Sequence, residues 1–201
     1  MMEPPEPKAA AAPPMRLRRP VVLVGLMGAG KTSVGKRLAG LLGANFTDSD
    51  HEIVEAAGMS IPEIFATLGE AAFRDGERRV IARLLTERAG VLATGGGAFI
   101  EPRTRAEIKA RATSIWLRAD LDLLWDRVRD RPGRPLLQTP NPRETLADLL
   151  DRRYPVYAEA DVTVDSRRGA SQEAMARAIV AAVRAHDLAH PDAPPTLEPA
   201  P

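Results

Sequence analysis

The sequence predicts an α/β fold, a three-layer α/β/α arrangement around a five-stranded parallel sheet. Three observations carry this. Short β-branched or apolar runs alternate with longer segments of helical period, the pattern that produces parallel strands covered by helices. The chain has 201 residues, enough to bury one core, so a single domain is expected. Its 44% hydrophobic and 27% charged residues belong to an ordinary globular protein and not to a disordered or fibrous one.

The first strand is a run of Val and Leu at 21–24. After a glycine-rich loop, Val34, Leu38, Leu41 and Leu42 recur at helical spacing until Gly43 offers a stop. A second strand near 44–47 runs into Asp48. Ser60 and Glu63 form a capping box, and the helical region they open carries Phe73, Val80, Ile81, Leu84 and Leu85 on one face. Residues 91–94 read as the third strand and 114–117 as the fourth. A helix over 121–129 follows Asp120, then a fifth strand at 162–164 and a last helix near 172–185. There is no internal repeat.

Both ends are rich in proline and lack apolar periodicity. Residues 1–18 and 187–201 are expected to be disordered tails around a folded unit at 19–186. The opening has no continuous apolar stretch of the kind a secretory signal needs, and no run is long and apolar enough to span a membrane. A cytoplasmic protein is the expectation. Lys and Arg total 28 against 27 Asp and Glu, a formal charge of +1, so there is no global field to gather nucleic acid or anionic lipid. The absence of Cys excludes disulfides, thiolate zinc sites and a cysteine nucleophile. His51, His186 and His190 have no metal-binding spacing.

One motif carries chemistry by itself. Gly25, Leu26, Met27, Gly28, Ala29, Gly30, Lys31 and Thr32 match G-x-x-x-x-G-K-[ST], between a strand and a helix, where a phosphate-binding loop must lie. Glycines let backbone N–H groups turn toward a phosphate, and the helix start adds partial positive charge there. The loop's share of the ATP-binding set is Gly28, Ala29, Gly30, Lys31, Thr32 and Ser33, to which Arg134 is added below. Lys31 is expected to bridge the β- and γ-phosphates and the Thr32 hydroxyl to ligate Mg²⁺, which points to MgATP as phosphoryl donor.

Further motifs follow in a fixed order: Asp48-Ser49-Asp50; Ile61-Pro62-Glu63-Ile64-Phe65 through Gly69-Glu70 to Phe73-Arg74; Gly95-Gly96-Gly97; Arg134-Pro135-Leu136-Leu137; and Arg153-Tyr154-Pro155-Val156-Tyr157. Their joint order and spacing resemble the shikimate kinases over nearly everything between the tails. The resemblance implies a P-loop NTPase fold of the nucleoside monophosphate kinase type, and ATP-dependent phosphorylation of the shikimate 3-hydroxyl on the route to aromatic amino acids. It also implies a monomer.

Residue roles come from the same resemblance. Asp50 orients the attacking hydroxyl and takes its proton late, since an alcohol is far less acidic than a carboxyl group and the transition state is loose. Asp48 lies near the Mg²⁺, replacing a Walker B aspartate that the third strand lacks. Arg74 and Arg153 grip the substrate carboxylate, a task that suits the planar guanidinium fork. Gly95, Gly96 and Gly97 let the acid approach the backbone. The stretch 131–142, with four prolines, one glycine and two arginines between helices, reads as a lid that excludes water and brings Arg134 to the transferring phosphoryl group. Arg131 is a candidate to stack near adenine. Two alternatives stand beside this reading. A sibling such as gluconate kinase shares the nucleotide half but has no evident use for the Arg74, glycine and Arg153 set. A binding module without turnover would not need Lys31, Asp50 and Arg134 together.

Overall fold

The computed structural model describes residues 15–87, 89–130 and 135–200. Five parallel strands, β2 (Val21–Val24), β3 (Phe46–Asp48), β4 (Val91–Ala93), β5 (Thr113–Arg118) and β6 (Val162–Asp165), form one sheet in the order β3-β4-β2-β5-β6. Burial tracks position in it. The central strand β2 is inaccessible along its length, as a strand covered on both faces must be, whereas β6 at the edge alternates buried Val162 and Val164 with exposed Thr163 and Asp165.

Helices cover the two faces: α1 (Lys31–Leu42), α2 (Ser49–Ala57), α3 (Ile61–Leu84), α4 (Pro102–Arg111), α5 (Leu121–Val128), α6 (Pro142–Tyr157) and α7 (Gln172–Ala189). One apolar core joins the sheet to α1, α5, α6 and α7, while Ile53, Ile64 and Phe73 form a satellite cluster binding α2 to α3. The Ser60–Glu63 capping box opens α3 as expected. Inside that helix Gly69 adopts φ 80° and ψ 170°, a conformation open essentially to glycine alone, and breaks the helix into two arms. The second arm carries Arg74.

The connection leaving β2 runs toward β3, on the β4 side, and the one leaving β4 runs toward β5, beyond β2, so adjacent strands send the chain in opposite directions. Such a switch point opens a crevice beyond the strand ends, where open α/β sheets bind their ligands. The phosphate loop, Asp48 and the glycine triplet all follow strands into it.

The structure differs from the sequence reading at its ends. Helix α7 runs to Ala189, and Leu197–Pro199 form a strand, β7, antiparallel to β1 (Met15–Leu17). A long-range cap explains this. The Asp187 carboxylate accepts hydrogen bonds from the backbone N–H groups of Thr196 and Leu197, the Thr196 hydroxyl pairs with buried Thr113 at 2.7 Å, and Leu197 packs into the main core. Arg16 and Arg18 both reach Glu198 across the pair. The described part of the expected tail, 187–200, therefore ends α7 and then forms a clasp over the amino ends of the strands. Most of the other expected tail, 1–14, lies outside the described residues, as do Arg131 and Arg134 of the expected lid. Helices α2 and α4 were not anticipated.

Candidate active site

The loop between β2 and α1 is shaped by Gly25, Gly28 and Gly30, all with positive φ. Helix α1 begins at Gly30 with no side-chain cap and no acidic residue in its first turn. Its leading amides and positive dipole end are thus left for an anion. The Lys31 ammonium folds back over the loop, donating to the carbonyls of Gly25 at 2.7 Å and Leu26 at 3.0 Å. The Ser33 hydroxyl donates to the Gly30 carbonyl. Thr32 Oγ1 donates to Asp48 Oδ2 at 2.9 Å, and Asp48 Oδ1 accepts the Asp50 N–H as N-cap of α2. One carboxylate therefore ties the first turn of α1 to the residue expected to face the substrate.

The loop continues into a cleft of about 870 Å³ whose lining includes Lys31, Thr32, Asp48, Asp50, Gly95 and Gly96. Arg127, which the sequence reading missed, also lines this cleft, against the loop. Its Nη1 donates to the carbonyls of Gly28 and Ala29 and to the Ser166 hydroxyl. Burial, and secondarily Arg168, pulls its pKa down. Its position seven residues before Arg134, on α5 just ahead of the lid, was the available signal.

The glycine triplet after β4 gathers the remaining candidates. A Cβ on Gly95 would lie 2.6 Å from Asp50 Oδ1, and one on Gly97 would lie 2.6 Å from both terminal nitrogens of Arg74. One on Gly96 would meet Arg153 Nη1 at 3.4 Å, and that nitrogen donates to the Gly96 carbonyl at 3.1 Å. Three consecutive glycines thus receive, in order, Asp50 from α2, Arg153 from α6 and Arg74 from α3. Only glycine leaves room for a carboxylate and two guanidinium groups so close to one backbone segment.

Arg74 is held by Glu77, one helical turn on, at 2.7 Å. Glu77 is 1% exposed, and its Oε1 has no hydrogen-bond partner. Burial raises its pKa while Arg74 pulls the other way and Asp50 and Glu101 add repulsion. The sequence reading did not single out Glu77, although its i+3 spacing from Arg74 was visible.

A phosphate loop at the switch point, next to a pocket of two arginines and an aspartate, defines a P-loop phosphotransferase of the nucleoside monophosphate kinase type acting on a small anionic acceptor. Comparison with known proteins is more specific. The model of the shikimate kinase family matches residues 27–184. A shikimate kinase of Paramagnetospirillum magneticum is 60% identical over 151 residues, 75% of this chain and 77% of that protein. One of Rhizobium meliloti is 50% identical over 172 residues, 86% of this chain and 89% of its own length. Among solved structures, the shikimate kinase of Acinetobacter baumannii in complex with shikimate superimposes with a TM-score of 0.79 at 42% identity, covering 85% of this chain and 95% of that one. The chain belongs to the shikimate kinase family.

Proposed function

We propose that this chain transfers the γ-phosphoryl group of ATP to the 3-hydroxyl of shikimate, with the residues around the glycine triplet holding the acid. The observation that carries this assignment is the convergence of Arg74 and Arg153 on adjacent glycines, beside Asp50 and at the mouth of the phosphate loop. Two guanidinium forks facing one backbone segment suit a carboxylate, which accepts charge-assisted hydrogen bonds from both, whereas a neutral sugar offers no charge to match them.

The nucleotide phosphates lie on the amides of Gly28, Ala29, Gly30, Lys31, Thr32 and Ser33. The Lys31 ammonium exchanges its two loop carbonyls for phosphate oxygens, and the base extends along the cleft toward Arg127. Asp50 receives a hydrogen bond from the attacking hydroxyl, aligns it with the γ-phosphorus and accepts its proton late in transfer. Thr32 and Asp48 offer a hydroxyl and a carboxylate side by side, hard oxygen donors of the kind Mg²⁺ takes together with phosphate oxygens and water. Bound there, Mg²⁺ would offset the charge that builds on those oxygens. Closure of the lid brings Arg134 to the phosphoryl group and excludes water. Because Asp50, Arg74, the glycines and Arg153 all come from one chain, a monomer suffices. The enzyme is placed in the cytoplasm, beside its soluble substrates, and no described helix is long and apolar enough to cross a membrane.

An ADP-release assay comparing shikimate with gluconate tests the acceptor. Turnover with shikimate and little with gluconate is expected, and the reverse preference contradicts the assignment. Arg74→Ala is expected to raise the KM for shikimate about tenfold to a hundredfold, the loss of one or two charge-assisted hydrogen bonds, with the KM for ATP unchanged. An unchanged shikimate KM removes Arg74 from the pocket.

A further inference from the structure

Tyr157 is the last residue of α6, one helical turn after Arg153 and on the same face. It is fully buried, yet its hydroxyl is satisfied by a single backbone acceptor, the carbonyl of Gly96. That is the carbonyl to which Arg153 donates. A carbonyl oxygen has two lone pairs, and this pair of donors from one helix face takes both.

The consequence is conformational. Glycine fixes its own backbone least of all residues, so three in succession do not define the orientation of the peptide planes between them. A trans peptide is rigid and planar, with its C=O and N–H pointing in opposite directions. Anchoring the Gly96 carbonyl to α6 therefore aims the Gly97 N–H to the opposite side, away from that helix. The anchor itself is stiff. The Tyr157 ring packs 6.1 Å from that of Trp116 on β5, and Tyr154 meets Trp116 edge-on at 4.9 Å. Trp116 in turn adjoins the loop, its Cδ1 lying 3.5 Å from where a Cβ on Gly25 would stand. A Cβ on Gly96 would lie 3.7 Å from the Gly25 carbonyl oxygen. Tyr157 thus ties α6 to the glycine triplet at the point where that triplet adjoins the phosphate loop.

We infer that Tyr157 is a positioning residue for acceptor binding: its hydroxyl fixes the Gly96–Gly97 peptide and, with it, the direction of Arg153. The inference rests on the reading of this pocket as the carboxylate site. Burial pushes the Tyr157 phenol up to about 12, with the neighbouring Arg153 pulling the other way, so the hydroxyl keeps its proton and donates at neutral pH.

The experiment measures the KM for shikimate, the KM for ATP, kcat and the melting temperature in Arg153→Ala, Tyr157→Phe and the double variant. Tyr157→Phe keeps the ring, its contact with Trp116 and the core volume, and removes only the hydroxyl. The expected result is a rise of about fivefold to twentyfold in the shikimate KM, an ATP KM within about twofold and a kcat within about threefold of the parent. The double variant should fall short of the product of the two single effects, because both side chains act on one carbonyl. If Tyr157→Phe does not accumulate as folded protein, Tyr157→Met, which also fills the space, should show the same split. A shikimate KM unchanged in Tyr157→Phe while Arg153→Ala raises it overturns the positioning role alone. Equal rises in both KM values together with a fall in melting temperature also overturn it, since that is what a purely structural contact would produce. An unchanged shikimate KM in Arg153→Ala overturns the carboxylate reading and the inference with it.

Discussion

At Gly97 a single methyl group is decisive. Alanine there would place a carbon 2.6 Å from two nitrogens of Arg74, closer than any real contact, and the guanidinium would have to leave its place beside the glycine triplet. Gly97→Ala is therefore expected to raise the shikimate KM at least tenfold while ATP binding, measured by titration calorimetry without acceptor, stays within about twofold. Equal loss of both would mean that the triplet serves the nucleotide. Glu77 makes a second prediction, in pH. Its folded pKa lies above the unfolded value because burial disfavours the charged form. The native state then holds the proton more tightly than the unfolded chain, so Glu77 favours folding below its unfolded value and loses that contribution as pH rises through the raised one. In Glu77→Gln this titration is absent. Relative to the variant, the parent should lose melting temperature as pH rises from about 4.5 toward neutrality, and parallel curves would contradict the assignment. Residues of this kind were only partly legible. The glycines, Arg74 and Arg153 stood in motifs whose order named them, but the orphaned oxygen of Glu77 and the carbonyl shared by Tyr157 and Arg153 exist only once α3, β4 and α6 are packed together.

Among the elements, β2 and β4 were legible as short, wholly apolar runs, β5 by its Ile-Trp-Leu stretch and β6 by its alternating valines, and α1, the start of α3, α5 and α7 because their apolar spacing or caps are plain. Helix α4 shows why others were not. Of its ten residues only Thr104 and Ile108 are buried, so a sequence of Arg, Lys and Glu carries almost no periodic signal. Helix α2 starts directly at Asp48, whose cap role resembles that of a turn residue, and buries only Ser49 and Ile53. The break in α3 was visible as Gly69 but not its conformation. Nothing lies within 4 Å of a Cβ built there, so the cost of Gly69→Ala is conformational and not steric. A loss of about 1 to 3 kcal/mol in unfolding free energy is expected by denaturant titration. If the two arms instead realign, the shikimate KM changes too, because Arg74 rides on the second arm. A variant as stable as the parent would contradict the strain at this position.

For the whole molecule, the site and the clasp lie at opposite ends of the sheet. The chemistry gathers at the carboxyl ends of the strands, while β1, β7 and the Asp187 cap close the amino ends. Composition alone could not foresee the clasp, since a proline-rich segment of low periodicity folds here through partners nine and ten residues back in α7, at the start of β5 and in β1. Removing residues 191–201 uncovers the core at Leu197 and strands the buried Thr113 hydroxyl. The melting temperature should fall by roughly 5 to 15 °C, from about 2 to 4 kcal/mol of lost burial and hydrogen bonding. The kcat measured at 25 °C should change less than about twofold. A truncated protein that melts with the parent would show that the clasp contributes nothing.

The central claim is that one crevice holds nucleotide phosphates on the start of α1 and an organic acid between Arg74 and Arg153. A crystal structure with ADP and shikimate tests it most directly. The account predicts the shikimate carboxylate within hydrogen-bonding distance, about 3 Å, of both guanidinium groups over Gly95, Gly96 and Gly97, with its 3-hydroxyl beside Asp50. A carboxylate bound elsewhere, with Arg74 still on Glu77 and Glu70 and Arg153 still on the Gly96 carbonyl, would contradict it.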